Sequence, residues 1–572
     1  MAGKKTRQSG PAPDALELNY QLAELPSSQH RAGLAGLVLM VDWLRQQPDR
    51  KGVCEIERAA HGATLRINQQ GLKELFNEVY AASLEEQERA ELLKNSRTKE
   101  DITPLREETR QTLDAKTGKT KEKTVYIYES VIPKGAFLLK NDPSADGRNG
   151  GWIKLWRDVI WSIFRGVPAT RAPFESRANG EAANDAADVW RDLVQPSDYT
   201  VQLPSTYFIG AQANNAENVP FKDRARFQFL LHFWPYAAQI YVPAVINNEG
   251  ERAFVGYALA IPDVADLELF CEELPPLLRG RSKRMSGYRP RDCIVDLAIE
   301  SALDTFRRLR ERLRAREGEA ATIDLLLGVD VVHVNKDGNN IRLLGSARLD
   351  PEAGMIDQYA QFRDSLWNPL FRRQQLLNLV NKRDWYAGFN SLMAKLPYEQ
   401  TIGDGYFRRD ARESFRNEVK TMNRPVNGSV EDPETNDAAL PENVSEETLI
   451  YRVVSNYLRH KLKSKHQLEW KPEWKGARDN KPAEMKEYEE KKAKLAREAF
   501  LAIRSRTDQD FVEYFVSTLC SVPQSMGEQR FVSLTKALVE REDDIRTLTM
   551  LALAAQTPNP QQAVSQSASQ GN

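Results

Sequence analysis

The sequence predicts an α+β fold, in which antiparallel strands and hairpins are mixed with helices in the first part of the chain and helices alone form the last part. Up to about residue 350, short stretches of alternating polar and apolar residues flank turn residues, as in hairpins. From Pro351 onward the alternation stops and apolar residues recur at helical spacing. A chain of 572 residues is expected to contain two or three domains.

Composition divides the chain into six segments. Residues 425–443 are rich in Pro, Asn and acidic residues, which is typical of a linker, and the last residues are rich in Gln and Ser. The predicted order is a disordered tail at 1–15, an α+β body at 16–350, a helical connection at 351–424, a linker at 425–443, a helical bundle at 444–556 and a disordered tail at 557–572.

The first long helix is predicted over residues 29–47, where Ser27 or Ser28 supplies the N-cap. Gly33 and Gly36 lie three residues apart in it. Without side chains they leave a flat patch on which another backbone can lie close. Packing is therefore the expected use of this patch.

The same patterns predict the remaining elements. In the body they are a strand at 16–20, a hairpin at 53–68 that turns at His61 and Gly62, a helix from 70 to about 93, a hairpin at 103–133, a Trp-rich helix that begins near 151, buried strands between 227 and 246, and a hairpin at 329–349 around Asp337 and Gly338. Later helices are predicted near 354–366, 369–381, 384–396, 444–466, 482–505, 508–521, 526–540 and 541–555.

Two loops are candidates for base recognition. The first spans residues 210–218 and contains the amides Gln212, Asn214 and Asn215; the second spans 147–151 and contains Arg148 and Asn149. An amide offers both a donor and an acceptor, which hydrogen bonding to a base edge requires. The alternative is that these residues only form turns, as Asn and Gly commonly do.

Clustered lysines and arginines are candidates for contact with a phosphate backbone, whose charge they neutralise. They are Lys222, Arg224 and Arg226 after the amide loop; Lys116, Lys119 and Lys121 at the tip of the 103–133 hairpin; Arg279, Arg281, Lys283 and Arg284 in a basic loop; and Lys461, Lys463 and Lys465 in the bundle. Residues 279–316 contain 12 Lys and Arg against five Asp and Glu, and residues 459–506 contain 15 against eight. A solvated charged surface is the alternative for the hairpin tip and for the bundle.

Composition and motifs argue against several classes of protein. Lys and Arg nearly balance Asp and Glu, 80 against 81, so any basic surface must be local. Four scattered cysteines suggest a reducing compartment and neither zinc nor disulfides. HEXXH, GXSXG and Walker motifs are absent, so we expect no enzyme activity, no metal and no cofactor. Without a signal peptide or a membrane span, the expected location is the cytoplasm.

Two stretches carry a family resemblance. LNYQLAELPSSQHRAGLAGLVLMVDWL, with STYFIGAQANNAENVPF and the FLLHFWP that soon follows it, resembles the large subunit of type I CRISPR effector complexes (Cascade), in its MYXAN-type or type I-B-like form. The resemblance is sharpest over residues 16–47 and 205–236. The order of a mixed body before a helical bundle also fits this family.

The resemblance implies a non-catalytic subunit of an RNA-guided DNA-targeting complex. Such a subunit holds the 5′ end of the guide RNA, recognises the protospacer-adjacent motif in duplex DNA, contacts the displaced or target strand and recruits a downstream effector. The implied partners are guide RNA, target double-stranded DNA, other Cascade subunits (backbone, small subunit and guide-handle-binding subunit), and a nuclease–helicase or transposition proteins. A separate small subunit made by internal initiation near Met393 or Met422 is a further implication.

Two other functions stay open at this point. One is a carboxylate-dependent nuclease of the same defence system, which metal-dependent cleavage by the purified protein would favour. The other is a purely structural nucleic-acid-binding scaffold, which equal affinity for all duplex sequences would favour.

Overall fold

The chain forms two compact units. The computed structural model describes residues 15–94, 100–113, 120–163, 171–183, 185–202, 222–246, 252–318, 323–338, 340–422, 445–474, 481–521 and 527–557. The first unit lies within residues 1–353 and the second consists mainly of residues 354–572. The first combines helices with antiparallel sheets and the second is helical, so the predicted α+β class is confirmed.

Among the described residues, strands form three sheets and two small hairpins. The strands are β1 (Leu16–Gln21), β2 (Cys54–Ala59), β3 (Gly62–Ile67), β4 (Ala82–Arg89), β5 (Arg106–Leu113), β6 (Thr120–Pro133), β7 (Thr200–Gln202), β8 (Lys222–Arg224), β9 (Gln239–Ile246), β10 (Arg252–Phe254), β11 (Tyr257–Val264), β12 (Met285–Ser286), β13 (Arg289–Pro290), β14 (Ile294–Val295), β15 (Leu326–Asp337) and β16 (Asn340–Leu349). The sheet orders are β1-β3-β2, β4-β6-β5 and β10-β9-β11-β15-β16, with β14 parallel to β9; the hairpins are β7-β8 and β12-β13.

Several helices of the first unit pack on its first long helix. The helices of this unit are α1 (Ser28–Leu44), α2 (Gln69–Val79), α3 (Ala136–Lys140), α4 (Gly151–Ser162), α5 (Arg171–Ala178), α6 (Ala186–Leu193), α7 (Ala225–Leu230), α8 (Leu267–Arg279) and α9 (Glu300–Glu317). The hydroxyl of Ser27 accepts a hydrogen bond from the His30 amide and so caps α1, as the sequence predicts. Most of α1 is buried, and it packs against β11, α2, α7 and α8.

The glycine patch of α1 receives another backbone, which confirms the prediction for Gly33 and Gly36. A β-carbon on Gly33 would overlap the carbonyl oxygen of Leu230, and one on Gly36 would overlap that of Phe233. Because the two segments touch through backbone atoms, a larger residue at either glycine would force them apart.

Two elements of the first unit differ from the prediction. The helix expected from 70 to about 93 ends at Val79, and Ala82–Arg89 forms β4 instead. This Glu-rich stretch is a strand because it pairs along its whole length with the longer β6. The strands expected from 227 onward begin only at Gln239, because the residues before them form α7 and a 3-10 turn, Trp234–Tyr236, that lie on the glycine patch.

The second unit is a bundle around one buried helix. Its helices are α10 (Ala353–Arg363), α11 (Pro369–Val380), α12 (Phe389–Lys395), α13 (Gly405–Met422), α14 (Glu446–His466), α15 (Ala483–Arg504), α16 (Asp508–Tyr514), α17 (Glu528–Glu540) and α18 (Glu542–Gln556). All residues of α18 from Ile545 onward are buried, against α13, α14 and α15 among others. Each predicted helix of this part is present, and α13 is an additional one.

Candidate nucleic-acid interface

The candidate interface is built on the start of α4. The Asp142 carboxylate accepts hydrogen bonds from the amides of Trp152 and Ile153 at 3.1 and 3.0 Å. The Ser144 hydroxyl accepts one from the Gly151 amide at 2.8 Å. Side chains of the protein therefore satisfy the amides that an anion would otherwise bind, and this helix start serves as an anchor for the loops around it.

The basic loop, residues 279–291, packs on this helix start. The Trp152 indole donates a hydrogen bond to the carbonyl oxygen of Ser282 at 3.4 Å. A β-carbon on Gly151 would lie 2.9 Å from the Met285 side chain, so the absence of a side chain there allows the close approach. The basic loop is thus held against α4 and contains the hairpin β12-β13.

Two arginines of the basic loop make internal contacts. Arg279 donates a hydrogen bond to the side chain of Asn141 at 2.7 Å. The Arg281 guanidinium lies 4.2 Å from the ring centroid of Trp152 and donates a hydrogen bond to Gln239. Burial lowers the pKa of Arg281 to about 10. These contacts position the loop. Because the Arg281 guanidinium is already bound to Trp152 and Gln239, we expect it not to contact phosphate.

Lys283, Arg284 and Tyr288 are the exposed residues of the same loop. Neither cation forms an ion pair with another described residue. Gly287 adopts a φ of +61° in the turn between β12 and β13, a conformation that favours glycine. Tyr288 follows it and is 56% exposed. The loop thus presents two unpaired cations next to an exposed aromatic ring.

Three further residues of this surface were missed in the sequence. The ammonium of Lys154 and the guanidinium of Arg289 lie 4.9 and 4.2 Å from the ring centroid of Tyr288. The Arg289 guanidinium also lies 4.6 Å from the ring of Phe254, which is 41% exposed. Aromatic rings interleaved with cations are typical of surfaces that bind nucleic acid strands. Only Tyr288 and its chain neighbour Arg289 could have signalled this cluster in the sequence, because Lys154 comes from α4 and Phe254 from β10.

Arg148 and Asn149 lie beside the basic loop, in a turn that leads into α4. The backbone groups of Asp146 and Asn149 hydrogen bond to each other, and Gly147 between them has a φ of +63°. Both candidate side chains are exposed, and Arg148 lies 3.8 Å from Glu85. The structure therefore brings together two loops that are more than a hundred residues apart in the sequence.

The cations that follow the amide loop are Lys222, Arg224 and Arg226. The first two belong to a different hairpin, β7-β8, and Arg226 follows them in α7. Lys222 and Arg224 are exposed residues of β8. Between them, Asp223 lies 2.9 Å from the imidazole of His30 and so ties β8 to the start of α1. Arg226 is less exposed, and its guanidinium lies 3.6 Å from the Glu24 carboxylate.

Several candidate residues lie outside the described part of the chain: Gln212, Asn214, Asn215, Lys116 and Lys119. Lys121 belongs to β6. The hairpin predicted for 103–133 is confirmed as the antiparallel pair β5-β6. The roles predicted for its tip and for the amide loop stay predictions.

Lys461, Lys463 and Lys465 lie in the last turns of α14, in the second unit. The ammonium of Lys463 lies 2.6 Å from Glu469, and Lys461 lies 5.7 Å from the ring centroid of Tyr457. Lys465 is exposed. Cations at the C-terminus of a helix also stabilise its dipole, so this cluster has a structural role whether or not it binds nucleic acid.

The described residues contain no group of three or more His, Cys, Asp or Glu side chains placed to hold a metal ion. Within the same ranges, none of the helices combines the length and the apolar character needed to cross a membrane.

Two family models match the chain. The type I-B CRISPR Cas8b N-terminal domain matches residues 53–319, and the type I-B CRISPR Cas8b C-terminal domain matches residues 326–556. A search of curated proteins returned no match. The stretch 205–236 lies inside the first matched range, whereas 16–47 precedes it. Since the two ranges together cover most of the sequence, the chain belongs to the type I-B CRISPR Cas8b family of Cascade large subunits.

Proposed function

We propose that this large subunit binds target DNA through the α4 surface, which consists of Arg148, Asn149, Lys154, Lys283, Arg284 and Tyr288. Large subunits of this family are generally non-catalytic components of Cascade. The proposed role is therefore recognition and binding. The observation that supports this role is that two loops, residues 147–151 and 279–291, lie side by side although they are distant in the sequence. Together they present exposed cations, an amide and an aromatic ring.

Each group on the α4 surface has a distinct proposed role. Lys283 and Arg284 neutralise phosphates, which releases counterions and makes binding depend on salt. Tyr288, which is 56% exposed beside cations of the same surface, stacks against an exposed base or sugar. Arg148 and Asn149 approach base edges, where a guanidinium or an amide can distinguish one base pair from another.

Recognition of the protospacer-adjacent motif is proposed for two loops. The leading readers are Gln212, Asn214 and Asn215, because they combine three amides in one short loop; Arg148 and Asn149 come second. We also propose that the chain contacts guide RNA and that Lys461, Lys463 and Lys465 contact the displaced or target strand. A nuclease–helicase or transposition proteins would act downstream, in the cytoplasm.

The test of backbone contact compares two double substitutions in the assembled complex. Lys283→Gln with Arg284→Gln should weaken binding to all duplex sequences alike. It should also reduce the slope of log K against log salt by about 2, since each lost phosphate contact contributes about 0.9. The control is Arg312→Gln with Arg316→Gln, which removes the same charge from side chains already bonded to Glu273. An equal effect of both pairs would contradict a specific role for the loop.

The test of motif reading uses Gln212→Ala, Asn214→Ala, Asn215→Ala and Asn149→Ala, each measured on targets that carry every motif variant. A reader should lose about 1–3 kcal/mol of discrimination at one base position while binding to other positions is retained. If every substitution leaves the preference among motifs intact, the chain is a scaffold in this respect and the reading role is wrong.

A further inference from the structure

The second unit contains a cleft of about 940 Å³ between α10, α11, α13 and the start of α14. Its lining includes Gln361, Ser365, Asp384, Trp385, Glu413 and Glu447. None of the nucleic-acid candidates described above lines this cleft. It is therefore a separate feature whose use the family assignment does not explain.

One wall of the cleft is held rigidly. The side-chain amides of Gln375 and Asn378 donate hydrogen bonds to the carbonyl oxygen of Trp385 at 3.1 and 2.8 Å, and Asn378 is only 2% exposed. The Trp385 ring packs on Phe415, with ring centroids 5.1 Å apart. The indole therefore has a defined position at the cleft without any ligand.

Two donors at the cleft have no partner. The indole Nε1 of Trp385 and the hydroxyl of Ser365 are shielded from solvent, yet neither has a hydrogen-bond partner among the described residues. The carbonyl group of Ser365 is engaged by Arg409 at 2.7 Å, so the segment itself is held in place. Buried donors without acceptors are costly and uncommon in folded proteins. A ligand that carries acceptors would satisfy both.

The cleft is also negatively charged. Three carboxylates line it, those of Asp384, Glu413 and Glu447, against a single lining cation, Arg383. In the described ranges, neither Asp384 nor Glu447 forms an ion pair. The pKa of the neighbouring Tyr386 hydroxyl is raised by burial and then by negative charges that include those of Asp384 and Glu447.

We infer that this cleft binds a basic peptide segment of a partner protein, such as another subunit of the complex. Arginine or lysine side chains of that segment pair with Asp384 and Glu447. Its backbone carbonyls accept hydrogen bonds from Trp385 and Ser365. A nucleic acid strand fits less well, because its phosphates would lie next to three carboxylates. The inference rests on the geometry of the cleft and not on the motif reading proposed above.

The first test measures binding of a labelled Gly-Arg-Gly-Arg-Gly-Arg-Gly peptide to the full-length chain by fluorescence anisotropy. Asp384→Asn with Glu447→Gln should weaken binding by about tenfold or more, as expected when close charge pairs are lost. The control, Glu86→Gln with Glu88→Gln, removes two charges from surface residues that pair with Arg106 and Arg110. An equal loss in both variants would mean that the peptide follows general charge, and the inference would be wrong.

A second variant separates the indole donor from the charges. Trp385→Phe keeps an aromatic ring against Phe415 but removes the N–H, so peptide binding should weaken several-fold while the thermal midpoint of unfolding changes little. The same variant is tested with labelled single-stranded dT20. If dT20 binding falls and peptide binding does not, the cleft takes nucleic acid and the inference fails.

The closing experiment identifies the partner in the assembled complex. Gln361→p-benzoylphenylalanine places a photo-cross-linker at an exposed position on the cleft. Irradiation and mass spectrometry should show a cross-link to an arginine- or lysine-rich segment of another subunit, reduced by Asp384→Asn with Glu447→Gln. A cross-link to nucleic acid alone, or none to any subunit, would overturn the inference.

Discussion

The basic loop and helix α9 follow each other in the sequence and are both rich in arginine. Several arginines of α9 pair with carboxylates of the protein, whereas in the described part of the chain the exposed cations of the loop do not. In α9, Arg308 bonds to Asp304 at 2.7 Å and to Asp292 at 2.9 Å. Arg312 and Arg316 both bond to Glu273 of α8, at 3.3 and 3.1 Å. In the basic loop, the structure provides no such carboxylates for Lys283 and Arg284 among its described residues.

This difference shows why the number of Lys and Arg residues in a segment exceeds the number that can bind phosphate. Burial alone would lower the pKa of Arg308, but the charges of Asp304 and Asp292 outweigh it and raise that pKa. Arg281 is also desolvated but bonds to a neutral amide, and its pKa falls to about 10. Among the cations of the basic loop and α9, we therefore expect the unpaired, exposed ones, Lys283 and Arg284, to contact phosphate. The following predictions test this distinction, from the largest expected effect to the smallest.

The largest effect is expected in α9. Asp304→Asn removes a carboxylate that is 2% exposed and is shared by Arg307 and Arg308. Because it leaves buried guanidinium groups without that charge, we expect the free energy of unfolding to fall by about 3–5 kcal/mol. Urea unfolding followed by tryptophan fluorescence measures it. Glu311→Gln, on the 60% exposed partner of Arg307, is the control and should cost less than about 1 kcal/mol. If both variants lowered the free energy of unfolding equally, the buried ion pairs of α9 would be no stronger than the exposed one, and the comparison with the basic loop would fail.

A buried histidine should make the fold sensitive to acid. Burial lowers the pKa of His232 to about 3, and its Nδ1 lies 2.6 Å from the Tyr80 hydroxyl. Below pH 6.5 the unfolded state therefore binds more protons than the folded state, so the free energy of unfolding falls as the pH drops, by about 2 kcal/mol at pH 5 from this group. His232→Gln should flatten that part of the profile between pH 7 and 5. Parallel profiles of the two proteins would show that His232 does not contribute.

The hairpin β7-β8 and the start of α7 that follows it offer a second case of unpaired and paired cations. Lys222→Gln and Arg224→Gln should each lower the salt slope of DNA binding by the assembled complex by about 1 if these exposed side chains contact phosphate. Arg226→Gln should leave the slope unchanged, because its guanidinium lies beside Glu24. A slope that falls equally in all three variants would show that pairing with a carboxylate does not decide which cations bind.

The smallest effect is expected at Arg281. Arg281→Met removes the contact with Trp152 and the hydrogen bond to Gln239, but it also removes the cost of burying a charge. The two terms oppose each other, so the free energy of unfolding should change by about 1 kcal/mol or less. The salt slope of DNA binding should not change. A slope reduced as much as in Lys283→Gln would mean that Arg281 contacts phosphate after all.

Some elements could be predicted from the sequence because the residues that determine them lie close together in the chain. Helix α1 has its cap and its apolar residues within one short stretch, and the glycines that allow close packing are visible in it. The hairpin β15-β16 turns at Gly338, whose φ is +60°, next to alternating strands. The helices of the second unit follow from apolar periodicity alone.

Other elements depend on partners far away in the chain. Residues 82–89 have the composition of a helix, and only pairing with β6 makes them a strand. The residues of α7 are apolar enough for a strand, but their backbone packs on the glycines of α1. In both cases the tertiary contact outweighs the local preference.

By itself the sequence determined the fold class, the order of the parts, the family resemblance and which segments carry cations and amides, because each of these depends on residue types and short spacings. Only the tertiary structure decided which cations stay free. The carboxylates that pair with the arginines of α9 come partly from α8, and the two loops of the α4 surface meet through residues distant in the chain. Such pairings depend on contacts between distant segments, which no local pattern of residues records.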